Sequence, residues 1–580
     1  MRRIPLLVVL LPALVAGRLP AQTTPVIALA DRYVAGIYEF APEQAVFAGL
    51  ADAPTDRLSD NSLAALARWQ RLEDSLAGAI GSIDPKALVG TPEWITYGFL
   101  RAALDGGRAT RVCRGELWPV NQAFGWQTSM PQLAALQPVG SDSARAAAIH
   151  RWSALPHYVR TEIANLREGM RLGYTASRSV VQAVIGQLDG LLAAPPDSLP
   201  FLDPALRDST PTFVAAFTPL ATDSVQAVAR EYRTFLADEY LVKARRENAI
   251  AGNRDGLGCY RALLRQATSL DRDPEALWRE VTSLVTHDSA ALLGLARDVY
   301  RPTGGKHGDI RWLRDKLNHD PHNEIPGPDS VRAFTQAAMG RARAAIPRWF
   351  ATVPVGDVAI VPFPEYQQST APGGQYIPAT DGSNRPATYL YRTFPPVRRA
   401  GLEATIFHET WPGHHLQGAV IGEQAARHPV TRLVWVAGFG EGWATYTELL
   451  ADEMGLYSTP LTRLGTYLSL APLMVADLGM QLRGWSIQQA EEYVRRQMPN
   501  LPEPRIASVV SLLASIPGYV ASYTMGSAEI LRIRTHAQKA LGKRFDIRAF
   551  HQTVLEDGSI PLPMLEEKIE RWIQARRAAG

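Results

Sequence analysis

DNSLAALARWQRLEDSLAGAI, residues 60–80, places Leu63, Leu66, Trp69, Leu72, Leu76 and Ile80 at steps of three and four. That spacing lines one face of an α-helix, and Asp60 and Asn61 stand ahead of it as candidate caps. The same stripe recurs in 88–103, 143–171, 224–247 and 275–300. Breaks rich in Pro and Gly, APPDSLPFLDP (194–204) and RPTGGKHGD (301–309), separate the helices. No fixed period repeats, which excludes a standard helical solenoid. The texture changes between 353 and 396. VPVGDVAIVPFPEY (353–366) and RPATYLYRTFPP (385–396) hold short β-branched and aromatic runs bounded by Pro and Gly, which predict strands. Between them, STAPGGQYIPATDGSN (369–384) predicts a loop. Helical patterns return after Pro396 and close with Leu565, Ile569, Trp572 and Ile573 on one face. The expected fold is mainly α, with a small β-sheet just ahead of a helical segment that carries the chemistry. Residues 22–347 read as an N-terminal helical region and 348–580 as the catalytic region, packed as one unit.

The chain has 580 residues, 46% hydrophobic and 20% charged, a balance that supports a large buried core and excludes disorder and coiled coil. Its formal charge is +3, and Arg2, Arg3 and Arg18 account for that excess. All three lie in a segment expected to be removed, so no nucleic-acid-binding charge is expected. MRRIPLLVVLLPALVAGRLPAQ begins with two Arg, continues with an apolar run from Ile4 to Val15, and ends on a small-residue site before Gln22. That is the pattern of a secretory signal over residues 1–21, too short to span a bilayer. A periplasmic or extracellular product, with no membrane attachment after cleavage, is expected. The two cysteines, Cys113 and Cys259, suit an oxidising compartment as one disulfide, with two buried thiols as the alternative.

Three of the twelve histidines fall within FHETWPGHHLQ (407–417). Imidazoles bind Zn²⁺, and the adjacent Glu409 is a candidate to take a proton from an attacking water. In the usual H-E-x-x-H pattern two His at i and i+4 share a helix face. Here that position is Pro412. On an unbroken helix His408 and His414 would stand ~9 Å apart along the axis, too far to share an ion. Pro412 and Gly413 supply a break that can return His414 to His408. His415 competes for the same place; His414 is favoured as the ligand, with His415 facing substrate or supporting the site. GEGWATYTE (440–448) then offers Glu441 as a third ligand and Glu448, seven residues on, as a hydrogen-bond partner that orients a ligating His. Arg532 and Arg534 are candidates to hold a substrate carboxylate. His307 with His319-x-x-His322 is a weaker second metal candidate, and His536 and His551 read as structural.

The patterns H-E-x-x-P-G-H-H-x-Q and E-G-W-A-x-Y-x-E, with PGYVASYTMG (517–526), FDIRAFH (545–551) and GSIPL (558–562), resemble the bacterial DUF885 family. Upstream, ELWPVNQ (116–122) and NLREG (165–169) extend the resemblance over nearly the whole mature chain. The chain departs from that family in lacking a lipid-attachment cysteine after the apolar start. The resemblance implies a multi-helical zinc-peptidase-like fold with a deep cleft. It implies zinc on His408, His414 and Glu441, Glu409 as general base, and Tyr523 as the phenol that stabilises the oxyanion. The expected function is a secreted zinc metallopeptidase acting on peptides. Its rivals are a zinc hydrolase of another amide or ester, and a secreted binding protein with a non-catalytic metal.

Overall fold

The computed structural model describes residues 24–301, 308–354, 356–363, 368, 373–379, 386–422 and 427–579. The expected signal segment, residues 1–21, lies outside them. Helix makes up 72% and strand 3%, so the protein is mainly α with one small sheet. The periodic stretches form helices Leu63–Gly81, Pro92–Thr110, Asp142–Ser153, Leu155–Leu172, Val225–Phe235 and Pro274–Tyr300. At the first of these, Ser62 is the cap: its side chain accepts from the Ala65 N–H, while Asp60 accepts from the Ser62 N–H. The cap thus stands two residues after Asp60 and one after Asn61, the two expected caps.

The sheet has three strands, β1 (Val358–Pro362), β2 (Gly374–Ile377) and β3 (Ala387–Tyr391), in the order β1-β3-β2. β3 pairs parallel with β1 and antiparallel with β2. One expectation changes here: β2 lies inside the stretch read as a loop, because four residues between Gly and Pro are too few to show alternation. β3 is the central strand, with both edges used, and β2 is the outer strand that packs on helix Leu402–Glu409.

The largest core draws on both ends of the chain. It joins Leu29, Trp94 and Leu100 from the N-terminal helices to Ile530, Leu565 and Ile573 from the C-terminal ones, around Phe407 and Trp443. A second core fills the helices between Val120 and Ala244. A third surrounds Cys113 and Cys259 together with Met474, Val510 and Met525. The two cysteines form a disulfide across 146 residues of sequence. Among the described residues no helix is long and apolar enough to cross a membrane.

A link closing so long a loop removes denatured-state entropy equivalent to ~5 kcal/mol in the chain-entropy account. Replacing both cysteines by Ala is therefore expected to lower the thermal midpoint by several degrees at unchanged secondary structure. Calorimetry beside circular dichroism checks this, and an unchanged midpoint would show that the bond adds no stability.

Candidate metal centre

The first histidine closes helix Leu402–Glu409, and the second opens helix His414–Gly422. Between them the helix is interrupted at residues 410–413, as the six-residue spacing requires. Thr410 leaves the helical angles, the Trp411–Pro412 peptide is cis, and the Gly413 N–H folds back onto the Phe407 carbonyl at 3.0 Å. Gly413 is needed for close approach: a Cβ there would lie 1.8 Å from the His408 carbonyl oxygen. Buried Trp443 holds the turn by donating its indole N–H to the Pro412 carbonyl at 3.1 Å. The break brings the His408 and His414 rings to 4.9 Å, edge to face.

Helix Ala437–Glu453 brings the carboxylates. Glu441 Oε2 lies 3.3 Å from His414 Nε2 and 3.6 Å from His408 Nε2. One donor atom from each of the three lies within 4.8 Å of the other two. Among the described residues no other group of three His, Cys, Asp or Glu comes together in this way. Two turns further on, Glu448 Oε1 meets the other ring nitrogen of His408, Nδ1, at 2.8 Å. That contact places the Nδ1 proton toward Glu448 and leaves Nε2 as the lone-pair donor. All these groups are largely buried. Burial alone would raise the Glu441 carboxyl, but the two imidazoles beside it hold it well below the usual carboxylate range. Burial opposes charge on His408, and the contacts to Glu441 and Glu448 outweigh it and raise its pKa.

Glu409 points elsewhere. Its Oε2 accepts the backbone N–H of Tyr376, on the outer strand β2, at 2.9 Å. Burial raises its carboxyl despite the imidazoles of His408 and His414. His415 turns away from the triad: Nδ1 lies 3.3 Å from the Tyr376 hydroxyl and Nε2 3.2 Å from the Gly356 carbonyl, with Trp411 edge-on at 4.6 Å. Of the two rivals, His414 therefore joins the three-donor cluster, and His415 braces the strand that holds Glu409.

Helix Ala521–Leu541 supplies the phenols. It crosses helix Ala437–Glu453 backbone to backbone: a Cβ on Gly442 would lie 2.6 Å from the Gly526 Cα, and one on Gly526 would lie 2.0 Å from the Gly438 carbonyl oxygen. The crossing sets Tyr523 parallel to His408, with centroids 6.0 Å apart. Burial and then Glu441 push its phenol well up, so it remains a donor. Four residues earlier, the Tyr519 hydroxyl donates to Glu441 Oε1 at 3.3 Å. The Pro517-Gly518 turn ahead of it is pinned by buried Asp477, which accepts the Gly518 N–H and the Tyr260 hydroxyl, each at 2.9 Å. Burial pushes the Asp477 carboxyl up to about 7.

Sequence reasoning did not single out Tyr376, Tyr519 or Trp435, whose ring lies 6.4 Å from His414. Tyr519 had a signal, its helical spacing of four from Tyr523. Tyr376 had none, because its contribution is a backbone N–H.

The structure does not bring the two arginines to the triad. Arg532 pairs with Glu529 and Glu566, while Arg534 pairs with Glu453 and donates to Tyr446. Nine and eleven residues beyond Tyr523, they stand ~14 and ~16 Å along the helix from it. Their guanidiniums complete ion pairs, which corrects the expectation of a carboxylate clamp. His551 is structural: Nδ1 donates to the Trp349 carbonyl at 2.9 Å, Nε2 accepts from Tyr446 at 2.8 Å, and burial lowers its pKa to about 3. His536 pairs with Glu570 at the surface. His319 and His322 are exposed and form no three-donor group, and His307 lies outside the described residues.

A mainly helical protein with a buried two-His, one-carboxylate cluster is thus the class that fold and site define. The family model described as "Bacterial protein of unknown function (DUF885)" matches residues 42–569, and the chain belongs to that family. It is similar in fold to a solved structure named "putative lipoprotein" from Colwellia psychrerythraea, with a TM-score of 0.86 at 21% identity over 95% of this chain and 100% of that one. A second, from Shewanella oneidensis and named "a putative lipoprotein of unknown function", gives a TM-score of 0.74 at 15% identity over 93% and 99%. No curated protein matches the sequence.

Four substitutions test the assignment. His414→Ala is expected to cost far more zinc than His415→Ala under the same chelator challenge, and the reverse order would move the ligand to His415. Gly413→Ala touches no donor, yet is expected to lower zinc occupancy because its methyl group displaces the His408 carbonyl. Glu448→Ala should weaken metal binding by ~10–100-fold. Metal content by mass spectrometry reads all of these.

Proposed function

We propose that the protein is a zinc-dependent hydrolase of peptide bonds. The observation that carries this reading is the convergence of His408 Nε2, His414 Nε2 and Glu441 Oε2 beside a second, largely buried carboxylate, Glu409, that is turned away from them. Two imidazoles and one carboxylate match the three-ligand set of catalytic zinc sites, whereas structural sites use four protein ligands. Zinc held there would supply a Lewis acid for a carbonyl oxygen and lower the pKa of water.

The chain's own groups account for the rest. Glu409, oriented by the Tyr376 N–H, takes the proton from the attacking water and later delivers it to the leaving amine. The Tyr523 hydroxyl donates to the carbonyl oxygen as negative charge develops on it. Glu448 fixes the His408 ring, and Tyr519 fixes the Glu441 carboxylate. We place the protein outside the cytoplasm, a reading supported by the Cys113–Cys259 disulfide and by the signal-like start.

Glu409→Gln is expected to retain zinc and fold while turnover of a peptide library falls by ~10²–10⁴-fold. Product mapping by mass spectrometry on matched wild-type and variant protein reads the change. Near wild-type turnover would remove Glu409 from the mechanism. An inert, zinc-loaded wild type tested on peptides, simple esters and amides would remove the hydrolase reading.

A further inference from the structure

A cavity of about 680 Å³ opens near the triad, and two of its lining residues, Tyr519 and Trp435, touch Glu441 and His414. Tyr519 reaches Glu441 with its hydroxyl while its ring walls the cavity. Trp435 sits against His414 and lines both this cavity and a neighbouring one of about 590 Å³. Trp69, Glu73 and Gln266 are also shared, so the two spaces adjoin as sections of one cleft, with Trp435 and Tyr519 standing between it and the triad.

The lining states what this cleft would bind. Trp69, Trp118 and Phe124 join Trp435 and Tyr519 as aromatic walls, with Leu66 and Leu263 between them. Phe124 is 67% exposed and Trp435 54%, a large amount of aromatic surface left in water next to a proposed reaction centre. The charged groups are already occupied. Glu73 pairs with Arg111 at 2.8 Å, Arg111 also with Asp74, and Glu116 with Arg114. In the second section Arg101 pairs with Asp105. Asn121 spends its amide on the Ser515 carbonyl and its oxygen on the Ala123 and Phe124 N–H groups. With these carboxylates, arginines and Asn121 engaged in internal pairs, aromatic and aliphatic contact is most of what the cleft offers. Its volume falls in the range that encloses a drug-sized ligand, more than one side chain.

We propose that this cleft is the substrate subsite for bulky apolar residues, aromatic above all, flanking the reacting bond. The assignment rests on the hydrolase reading for its location, but it is tested by binding alone. Glu409→Gln protein, as the full zinc-loaded chain, is titrated with a capped Ala-Gly hexapeptide bearing one Phe, and with the same peptide bearing Asp in its place. Calorimetry is expected to show the Phe peptide binding at least about tenfold tighter. Gln266 is exposed on helix Gly256–Thr268 and lines both sections. Gln266→Trp, added to Glu409→Gln, fills their junction from the surface and is expected to abolish most of that preference without lowering the thermal midpoint. Equal binding of the two peptides, or a preference untouched by Gln266→Trp, overturns the subsite. A Phe preference that Gln266→Trp removes, in a protein whose wild type hydrolyses nothing, sustains the subsite and removes the hydrolase reading. Hydrolysis with no such preference does the opposite.

Discussion

The His408 carbonyl oxygen occupies the place a side chain at position 413 would need, and the candidate metal centre depends on that contact. Two histidines six residues apart reach one point only if the chain between them leaves the helix and returns within four residues. The return is tight enough to press one backbone on another, so position 413 must be Gly. Trp443 then fastens the turn through Pro412, and because Trp443 shares a helix with Glu441 and Glu448, the same contact sets the register between histidines and carboxylates. The donors are not assembled one by one. They are consequences of how two short helices and one long one lock at a single turn.

A second close approach carries the chemistry outward. Gly438 and Gly442 on one helix meet Gly526 on the other, and with no Cβ between them the axes come near enough for Tyr519 and Tyr523 to reach the Glu441 side of the triad. Larger residues at the crossing would separate the phenols from the carboxylate by the width of a side chain. Asp477 supports this from below by fixing the Gly518 N–H. Its acid is buried with a tyrosine hydroxyl and a backbone N–H as partners, so the turn carrying Tyr519 is held by hydrogen bonds rather than by loop packing alone.

Much of this was legible in the sequence because it follows from periodicity and chain geometry. The stripe through Leu63 and Ile80 predicted its helix, and the rise of a straight helix showed that His408 and His414 require a break at Pro412-Gly413. The spacing of seven between Glu441 and Glu448 placed both on the face that meets His408. Contributions without a side-chain signature escaped. The Tyr376 N–H that orients Glu409 belongs to a strand of four residues, formed only because β3 pairs with it. Arg532 and Arg534 misled for the complementary reason: a guanidinium in sequence carries no mark of the carboxylates that Glu529, Glu566 and Glu453 bring to it in space.

The direction of Glu409 bears on how a metal held by this cluster would be used. A buried carboxylate next to a ligating histidine has two stable fates, to join the ligands or to be held off them by another donor. In the first, Glu409 would complete four protein donors with His408, His414 and Glu441, the pattern of a structural zinc. The Tyr376 N–H favours the second. It fixes one oxygen 2.9 Å away on the sheet side, and His415 steadies the same tyrosine through its hydroxyl. An acid kept off the ligand set by a strand edge, with its carboxyl raised by burial, remains available to carry a proton. The small sheet is therefore more than a cover for the helices: its outer strand holds Glu409 apart from the three-donor cluster and beside it.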